Sequence, residues 1–550
     1  MSKNWTPKEL MYDLVKRESE SFTPQETEMA RHIHALIQEQ AYWQEHPDYC
    51  GLYDGGDLLG RLIPWALRRG RGARTVILTG HFDCVETRNY GALQPFALEP
   101  DRLKEELKKL DWDEEMASVR EDLESPDWCF GRGVADMKGG LACAMTELFR
   151  HAEEGLAPDV NLLFVAVHDE EHQAEGIMQA VGLLAGLKET YGLDYAILLN
   201  PEPAGRRQAA AYTYVDGSIG KILPGIVVKG DSIHVANILS GLSSTFLAAR
   251  IAARIDLNPD FRSGEFGKET PPPVVLCLRD CKEEYNVSAP RFTELYCHIP
   301  MTKSQSLPAL NEKLKAVCRE AAEEAVARHQ SVQAVCQPGG KAGQEPPAVR
   351  IMSCSELDAY CGEKVPDYAA RKEVFLKQQI AKVKEGRVLI QEGGGLAIMR
   401  WMIDCSGIPG PLVVIGLLPP YVPPVNNHYM PGFDREGMIR EVTAMLRERF
   451  GRELIEDPYS MGMSDNSYTG CTEIAQDLLA MKEMVCPPEL YHIPFAEIEK
   501  IAVPSVLIGP WGKDYHTMTE RVYLPDIEAV TPAVLACLIR RVAEEAREEL

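Results

Sequence analysis

The sequence predicts an α/β fold built on a mixed sheet with helices on both faces, and a smaller α+β domain inserted into it. Three observations lead to this prediction. Short apolar runs typical of buried strands alternate with helical patterns in the first part of the chain. The pattern changes near residue 214 and changes again near residue 345. At 550 residues the chain is too long for one hydrophobic core, so at least two domains are expected.

The first part of the predicted main domain covers residues 1–213. Residues 6–40 are predicted to form one helix or a pair of helices, with Pro24 in the first turn of the second. Because residues 161–167 are almost continuously apolar, we expect a strand there that is buried on both faces. The other elements predicted in this part are strands at 75–78 and 195–199 and helices at 101–110, 138–153 and 176–187.

Residues 214–345 are predicted to form the inserted domain. Its order is β-α-β-β-α, which is typical of a small α+β domain. The elements are a strand at 225–230, a helix from His234 to 255, strands at 274–278 and 292–299, and a helix at 307–329. The Pro- and Gly-rich segment 337–347 is predicted to be its exit. The main domain is then expected to resume over 346–550, with helices at 369–384, 432–450 and 525–549 and strands at 412–417 and 503–508.

Composition narrows the range of partners. The formal net charge is −24, and an acidic surface repels phosphate backbones, so nucleic acid is not an expected partner. The longest apolar runs, such as 411–418, are too short to span a membrane. The sequence has fifteen Cys and no CxxC pair, which predicts free thiols in a reducing compartment. Its N-terminal segment is polar and unlike a signal peptide, so a cytoplasmic location is expected.

Side chains that can bind metal ions follow several predicted strands and Gly-rich turns. These residues are His81, Asp83, Asp136, Asp169, Glu170, Glu171, Glu202 and His516. Nitrogen and oxygen ligands without Cys suit Zn²⁺, Mn²⁺ or Co²⁺. A carboxylate shared between two such ions would form a co-catalytic pair. The sequence therefore predicts a metal site at one edge of the sheet.

Each of these features alone also has a purely structural explanation. His81 and Asp83 could form a polar turn, and Asp136 could cap a helix. The acidic triplet 169–171 could be a surface patch, although the buried strand before it leads to the sheet edge where open α/β sheets place their sites. Ser464 and Asp465 could line a substrate cleft or form a simple turn.

In combination, the motifs resemble those of the di-zinc aminoacylase/carboxypeptidase family, which includes acetylornithine deacetylase, succinyl-diaminopimelate desuccinylase and glutamate carboxypeptidases. The matching stretches are G-H-F-D at 80–83, G-R-G-V-A-D-M-K-G-G at 131–140, D-E-E at 169–171, E-P at 202–203, and 509–520. The resemblance spans nearly the whole chain. It implies a phosphorylase/hydrolase-like catalytic domain and a ferredoxin-like lid and dimerisation domain.

The resemblance also implies two divalent metal ions, zinc first, with manganese or cobalt as alternatives. His81 and Glu202 would hold one ion, Glu171 and His516 would hold the other, and Asp136 would bridge them.

Three further residues are assigned catalytic roles by the same resemblance. Glu170 would be the general base, and Asp83 would orient His81. His234, in the inserted domain, would reach the active site of a partner subunit and polarise the scissile carbonyl, which implies a homodimer.

The segments P-P-Y-V-P-P (419–424) and M-S-D-N-S-Y (463–468) and the extra length resemble a narrower branch of the family linked to arginine utilisation. Three departures from the family pattern bear on the substrate. The sequence 298–300 (H-I-P) lacks the usual lid arginine, 462–466 differs from the usual G-G-T-D-A loop, and His172 replaces an apolar residue.

The predicted activity is metal-dependent hydrolysis of an amide bond in a small peptide or N-acyl amino acid, with a role in arginine or other amino-acid catabolism. The alternative is a catalytically weak metal-binding protein, regulatory or ligand-binding, on the same fold. The missing lid arginine favours that alternative.

Overall fold

The computed structural model describes residues 4–205, 208–336, 348–470 and 474–549. The predicted exit of the inserted domain, 337–347, lies outside these residues. The chain divides into two compact units. Unit 1 comprises Met1–Ser218, Val425–Thr472 and Pro494–Leu550, and unit 2 comprises Ile219–Pro424 and Glu473–Ile493.

The helices are numbered in chain order. They are α1 (Pro7–Val15), α2 (Gln25–Gln38), α3 (Ala41–Glu45), α4 (Pro100–Leu107), α5 (Ala117–Glu124), α6 (Lys138–Glu154), α7 (Glu175–Tyr191), α8 (Ser244–Ile255), α9 (Leu307–Cys336), α10 (Cys354–Lys364), α11 (Tyr368–Lys384), α12 (Ala397–Ser406), α13 (Arg435–Phe450), α14 (Ile474–Ala480), α15 (Phe495–Ile501) and α16 (Thr531–Glu549). None of the helices in the described ranges is long and apolar enough to cross a membrane.

The strands are numbered in the same way. They are β1 (Cys50–Asp54), β2 (Leu62–Arg68), β3 (Arg74–His81), β4 (Trp128–Phe130), β5 (Asn161–Val167), β6 (Asp194–Asn200), β7 (Ala211–Val215), β8 (Gly217–Ser218), β9 (Gly220–Lys229), β10 (Gly264–Glu265), β11 (Lys268–Glu269), β12 (Val274–Asp280), β13 (Phe292–Met301), β14 (Arg350–Ser353), β15 (Leu412–Val422), β16 (Val425–Asn426), β17 (Glu453–Asp457), β18 (Ser505–Leu507), β19 (Gly512–Lys513) and β20 (Arg521–Tyr523).

Unit 1 is organised around an eight-stranded sheet in the order β1-β2-β5-β3-β6-β18-β7-β17. Strand β3 pairs in parallel with β5 and β6, whereas β2 pairs antiparallel with β5, so the sheet is mixed. Val76 and Leu78 belong to the large core that also contains residues of α1, α6 and α16. Ile77 lies between them on the opposite face and is equally buried, so both faces of the central strands are covered. The predicted α/β fold class is confirmed.

Unit 2 contains a five-stranded sheet in the order β12-β13-β9-β15-β14. Apart from the two-residue strands β10 and β11, which form a separate hairpin, the chain order β9, α8, β12, β13, α9 follows the predicted β-α-β-β-α succession. One helix begins later than predicted. Residues Val235–Ser240 form a 3₁₀ turn, and α8 begins at Ser244, where the side chain of Ser243 accepts a hydrogen bond from the backbone of Phe246.

The extent of unit 2 differs from the predicted inserted domain of residues 214–345. Strand β15 pairs antiparallel with β9 and parallel with β14, so the chain as far as Pro424 belongs to the unit 2 sheet. The apolar run at 412–417 predicts a buried strand, but a strand of this composition can be buried in either of the two sheets. The sequence pattern therefore could not decide between the main domain, where the strand was expected, and unit 2, where β15 lies.

Candidate metal centre

The topology of unit 1 brings the predicted site residues to one edge of the sheet. Strands β5, β3 and β6 are parallel neighbours, and β18 pairs in parallel with β6. Their carboxyl ends therefore meet at the same edge, where open α/β sheets place their sites. His81 is the last residue of β3, the acidic triplet follows β5, and Glu202 follows β6.

Two glycines allow the backbone around Glu202 to be closely packed. A Cβ atom on Gly140, near the start of α6, would lie 1.9 Å from the carbonyl oxygen of Pro201. A Cβ atom on Gly509, just after β18, would lie 2.1 Å from the carbonyl oxygen of Glu202. Only glycine permits these contacts, so the two glycines let α6 and the segment after β18 pack directly against the loop that carries Glu202.

The first imidazole of the site lies between two carboxylates. Nε2 of His81 is 3.1 Å from Oδ1 of Asp136 and 3.4 Å from Oε1 of Glu202. The His81 side chain is fully buried, whereas both carboxylates are partly accessible.

The second imidazole lies on the other side of Asp136. Nε2 of His516 is 3.2 Å from Oδ2 of Asp136 and 3.0 Å from Oε2 of Glu171. The two oxygens of Asp136 thus face two different histidines, as a bridging carboxylate would. The structure brings all five predicted metal ligands together, although their role as ligands stays a prediction.

The pKa values of the two histidines are raised by these carboxylates. Burial alone would lower the pKa of His81, but Glu202 and Asp136 outweigh burial and raise it well above its ordinary value. Hydrogen bonds to Asp136 and Glu171 raise the pKa of His516 to about 10. The carboxylates around each imidazole therefore favour a positive charge at that position, which a proton or a metal ion would supply.

The pKa values of two glutamates in the site are raised by burial and by neighbouring negative charges. Burial and the nearby charge of Asp136 raise the pKa of Glu171 to about 7. Burial, followed by the charges of Glu202, Asp465 and Glu171, raises the pKa of Glu170 well above its ordinary value. Several buried acids crowded together in this way need a proton or a cation to neutralise them.

The donor set fits a metal ion. Single ligand atoms of His81, Asp136 and Glu171 all lie within 4.8 Å of one another, and so do those of His81, Glu170 and Glu202. Oε2 of Glu202 is buried and has no hydrogen-bond partner among the described residues. Imidazole nitrogens and carboxylate oxygens are the ligands that Zn²⁺, Mn²⁺ and Co²⁺ accept.

Asp83 contacts both His81 and the backbone of the acidic turn. Its Oδ1 is 3.4 Å from Nδ1 of His81, the ring nitrogen that faces away from Asp136. The same carboxylate accepts hydrogen bonds from the backbone N–H groups of Glu170 and Glu171, each at 3.2 Å, and from the hydroxyl of Ser21 at 2.6 Å. Asp83 therefore links the histidine to the acidic turn, in keeping with its predicted orienting role. Ser21 was not predicted, because no local pattern marks it.

A buried ion pair joins two of the sequence motifs. Nη1 of Arg132 donates to Oε2 of Glu520 at 2.5 Å, and both side chains are buried. Oε1 of Glu520 accepts hydrogen bonds from the backbone N–H groups of Ala135 and Asp136, at 3.3 and 3.4 Å. Glu520 thus holds the turn that carries Asp136. The motif around Glu520 signalled importance, but nothing in the sequence indicated which residue it contacts.

Two other predicted residues are placed differently. Asp465 is buried in unit 1, and neither of its carboxylate oxygens has a hydrogen-bond partner in the described part of the chain. Burial and the charge of Glu202 raise the pKa of Asp465 well above its ordinary value. His234 belongs to unit 2, where it is exposed and its Nδ1 accepts a hydrogen bond from the N–H of Ala236 at 3.2 Å.

The sequence is similar to one known protein family and to two curated proteins. The model of Peptidase family M20/M25/M40 matches residues 77–540. The chain is 30% identical over 98% of its length to the uncharacterized protein YqjN of Bacillus subtilis, covering 97% of it. It is 27% identical over 96% of its length to Protein RocB of the same organism, covering 93% of it.

The solved structures that resemble the chain share its fold at low sequence identity. One of them is the Bacillus subtilis YXEP protein, a dinuclear metal-binding peptidase of the M20 family. It has a TM-score of 0.51 and 12% identity, with 98% of each chain covered. The resemblance predicted from the sequence motifs is confirmed by the family model, and the narrower branch predicted from residues 419–424 and 463–468 is that of Protein RocB. The prediction of a hydrolase acting on C–N bonds is also confirmed. The family model covers most of the chain, so this protein belongs to Peptidase family M20/M25/M40.

Proposed function

We propose that this protein is a co-catalytic metallohydrolase that cleaves the amide bond of a small peptide or an N-acyl amino acid. One observation carries the proposal. The two oxygens of Asp136 face His81 and His516, and each histidine has a second carboxylate within 3.4 Å, Glu202 for the first and Glu171 for the second. The arrangement provides two sets of candidate ligands that have the carboxylate of Asp136 in common.

In this proposal His81 and Glu202 hold one divalent ion, and Glu171 and His516 hold the other. Zinc is the first choice, and manganese or cobalt would suit the same donors. When bound, such ions polarise a carbonyl and increase the acidity of water at neutral pH. The YXEP protein, whose fold this chain shares, is described as dinuclear, which supports a count of two.

The protein's own groups then move the protons. Glu170 accepts the proton of the attacking water and later donates it to the leaving amine. Burial raises the pKa of Glu170 above its ordinary value, which favours the protonated form that donates to the amine. Asp83 keeps His81 in a fixed orientation, because Nδ1 of His81 lies 3.1 Å from the backbone carbonyl oxygen of Asp83 and 3.4 Å from Oδ1 of its carboxylate.

Unit 2 is proposed to act as the lid and dimerisation domain. Its edge strand β12 exposes Val274, Leu276 and Leu278 to 42, 55 and 45%. The side of β12 away from β13 has no partner strand among the described residues. An exposed apolar edge of this kind suits pairing with a second copy of the chain. In the dimer, His234 would donate a hydrogen bond to the carbonyl oxygen of a substrate bound to the partner subunit.

A cytoplasmic location is also proposed. Cysteines of the described ranges are free thiols, and most of them are buried. Free thiols in such number are typical of a reducing compartment.

The experiment that tests the proposed function combines metal content with a substrate panel. The protein is purified without chelator, its metals are measured by elemental analysis, and it is assayed against N-acyl amino acids and dipeptides. Arginine and ornithine derivatives are included because the chain is similar to Protein RocB. We expect about two divalent ions per chain and hydrolysis that chelation abolishes and zinc restores.

Two results would count against the proposal. Absence of metal after reconstitution with Zn²⁺, Mn²⁺ or Co²⁺ would contradict the metal site itself. Two bound ions without hydrolysis of any panel member would favour the metal-binding protein without strong catalysis. One departure in the sequence favours that alternative, because β13 carries Pro300 at the position where the family pattern has a lid arginine.

A further inference from the structure

A buried ionic cluster lies next to the acidic turn and outside the proposed ligand set. We call it the Arg61 cluster, and its members are Arg61, Glu26, Asp57, Asp169 and Glu175. Nη1 of Arg61 donates to Oδ1 of Asp169 at 2.6 Å and to Oε2 of Glu26 at 3.1 Å, and Nη2 donates to Oε2 of Glu175 at 2.9 Å. Nε donates to Asp57, and the backbone N–H of Arg61 donates to the same carboxylate at 2.9 Å.

The cluster joins segments that are distant in the sequence. Glu26 lies in α2, Arg61 precedes β2, Asp169 follows β5, and Glu175 begins α7. The guanidinium of Arg61 is fully buried, and so are the side chains of Glu26 and Asp57. A buried ionic group of this kind adds little net stability compared with an apolar core, so its geometry is the feature that needs a reason.

The geometry centres on the backbone of Asp169. This residue has a φ of +64°, in the left-handed region that non-glycine residues avoid unless their surroundings hold them there. Its N–H donates to Oε1 of Glu26 at 2.8 Å, and its carbonyl oxygen accepts from the N–H groups of Gln173 and Ala174 at 3.2 and 2.7 Å. Arg61 holds the side chain of the same residue. The cluster therefore holds the N–H and the carboxylate of Asp169, and the turn that follows closes on its carbonyl oxygen.

His172 contacts the same carboxylate from a second direction. Its Nδ1 is 3.5 Å from Oδ1 of Asp169, and its ring stacks on Phe22 at a centroid distance of 4.8 Å. The departure from the family pattern at this position thus adds a further contact to Asp169.

The two residues that follow Asp169 are the proposed general base and a proposed metal ligand. The N–H groups of Glu170 and Glu171 donate to Asp83, and Asp83 contacts His81. The acidic turn is thus held on one side by Asp83, at the proposed metal site, and on the other by Arg61.

We propose that Arg61 is a positioning residue that, through Asp169, fixes the turn presenting Glu170 and Glu171 to the site. The proposal rests on the proposed function for its kinetic consequence, but the contacts of the turn can be tested without it. Arg61 is not a catalytic residue, because in the described part of the chain it donates its hydrogen bonds to other members of the cluster and its guanidinium otherwise lies over the ring of Phe22.

The test uses Arg61→Met and Arg61→Lys in the full chain. The lysine variant keeps the charge but loses the planar fork that serves several carboxylates at once, and it protects the test if the methionine variant does not fold. Arg68 is the matched control. It is also buried and in unit 1, but its guanidinium donates to the carbonyl oxygens of Leu156, Ala157 and Val160, away from the acidic turn.

Two readouts separate positioning from general stability. Hydrogen exchange should show the amides of Gln173 and Ala174 exchanging at least about tenfold faster in Arg61→Met, and not in Arg68→Met. With the best panel substrate and saturating zinc, kcat should fall by about 10²-fold in Arg61→Met and about tenfold in Arg61→Lys, while KM changes by less than about threefold.

Unchanged exchange at Gln173 and Ala174 in Arg61→Met would overturn the proposal, and so would an equal loss of kcat in Arg68→Met. A failure of the proposed function would be seen differently, as wild-type protein without metal-dependent hydrolysis. In that case the exchange experiment alone decides whether Arg61 holds the turn.

Discussion

Nε2 of His516 lies 3.2 Å from Oδ2 of Asp136, although 380 residues of chain separate them. The other oxygen of the same carboxylate faces His81 at 3.1 Å. The candidate metal centre therefore depends on one carboxylate that contacts two histidines, one from the first part of the chain and one from the last. Three residues from three separate motifs meet only after unit 1 has folded.

Replacing this carboxylate should disrupt both halves of the site. Asp136→Asn keeps the size of the side chain but removes the charge that faces both imidazoles. We expect zinc content to fall from about two ions per chain to less than about one, and kcat/KM to fall by at least about 10²-fold. Elemental analysis and the panel assay measure both.

Asp159→Asn is the matched control, because Asp159 is a buried carboxylate of unit 1 that pairs with Arg71 and Arg547. Full zinc content in Asp136→Asn would contradict the bridging role.

Glu170→Gln should separate metal binding from catalysis. The amide cannot accept the proton of water, so we expect kcat to fall by about 10²–10⁴-fold while zinc content is unchanged. Glu147→Gln removes another buried glutamate of unit 1, one that pairs with Arg150, and should leave kcat at the wild-type value. Normal turnover in Glu170→Gln would show that another group is the base.

Local patterns in the sequence predicted the elements of the site better than its long-range contacts. Strand β5 was predicted at its observed bounds, Asn161–Val167, because an almost continuous apolar run ends there and polar residues follow. The contact of Ser21 with Asp83 and the pair Arg132–Glu520 were not predictable. Both depend on which segments meet in the folded unit, and neither side chain has a spacing or neighbour that would signal its partner. The same limit applies to β15, whose sheet cannot be deduced from its hydrophobicity.

The buried pair of Arg132 and Glu520 gives a stability prediction. Glu520→Ala leaves the guanidinium buried without its carboxylate, so the free energy of unfolding should fall by about 3–5 kcal/mol. Urea unfolding of the metal-free protein, followed by tryptophan fluorescence, measures this. Glu528→Ala removes a carboxylate from an exposed pair with Lys8, in which both side chains are at least 40% accessible, and should cost less than about 1 kcal/mol. Equal effects of the two variants would contradict the structural role of Glu520.

Gly140 should not tolerate even one methyl group. In Gly140→Ala the new Cβ would meet the carbonyl oxygen of Pro201 at 1.9 Å, and a backbone atom cannot move aside without shifting Glu202. We expect the free energy of unfolding to fall by about 1–3 kcal/mol and zinc affinity to fall by about tenfold. Isothermal titration with Zn²⁺ measures the affinity.

The control is Gly186→Ala, within α7, where the new Cβ would have no described atom within 4 Å apart from its chain neighbours and the adjacent backbone of the helix. That variant should be up to about 1 kcal/mol more stable than wild type, because alanine is the better helix former. A loss of stability in Gly186→Ala, together with wild-type stability and zinc affinity in Gly140→Ala, would contradict the predicted clash with Pro201.

His151 predicts how stability depends on pH. Burial lowers the pKa of this histidine to about 4, compared with about 6.5 in an unfolded chain. Between these values only the unfolded chain binds the proton, so the histidine lowers stability as pH falls from about 6.5 to about 4 and has no such effect above that range. A difference of about 2.5 pKa units corresponds to roughly 3 kcal/mol. The difference in unfolding free energy between wild type and His151→Gln should therefore change by about that amount, in favour of the variant, from pH 7 to pH 4. Urea unfolding at intervals across this range measures it, and two parallel pH curves would show that His151 is not kept neutral by the fold.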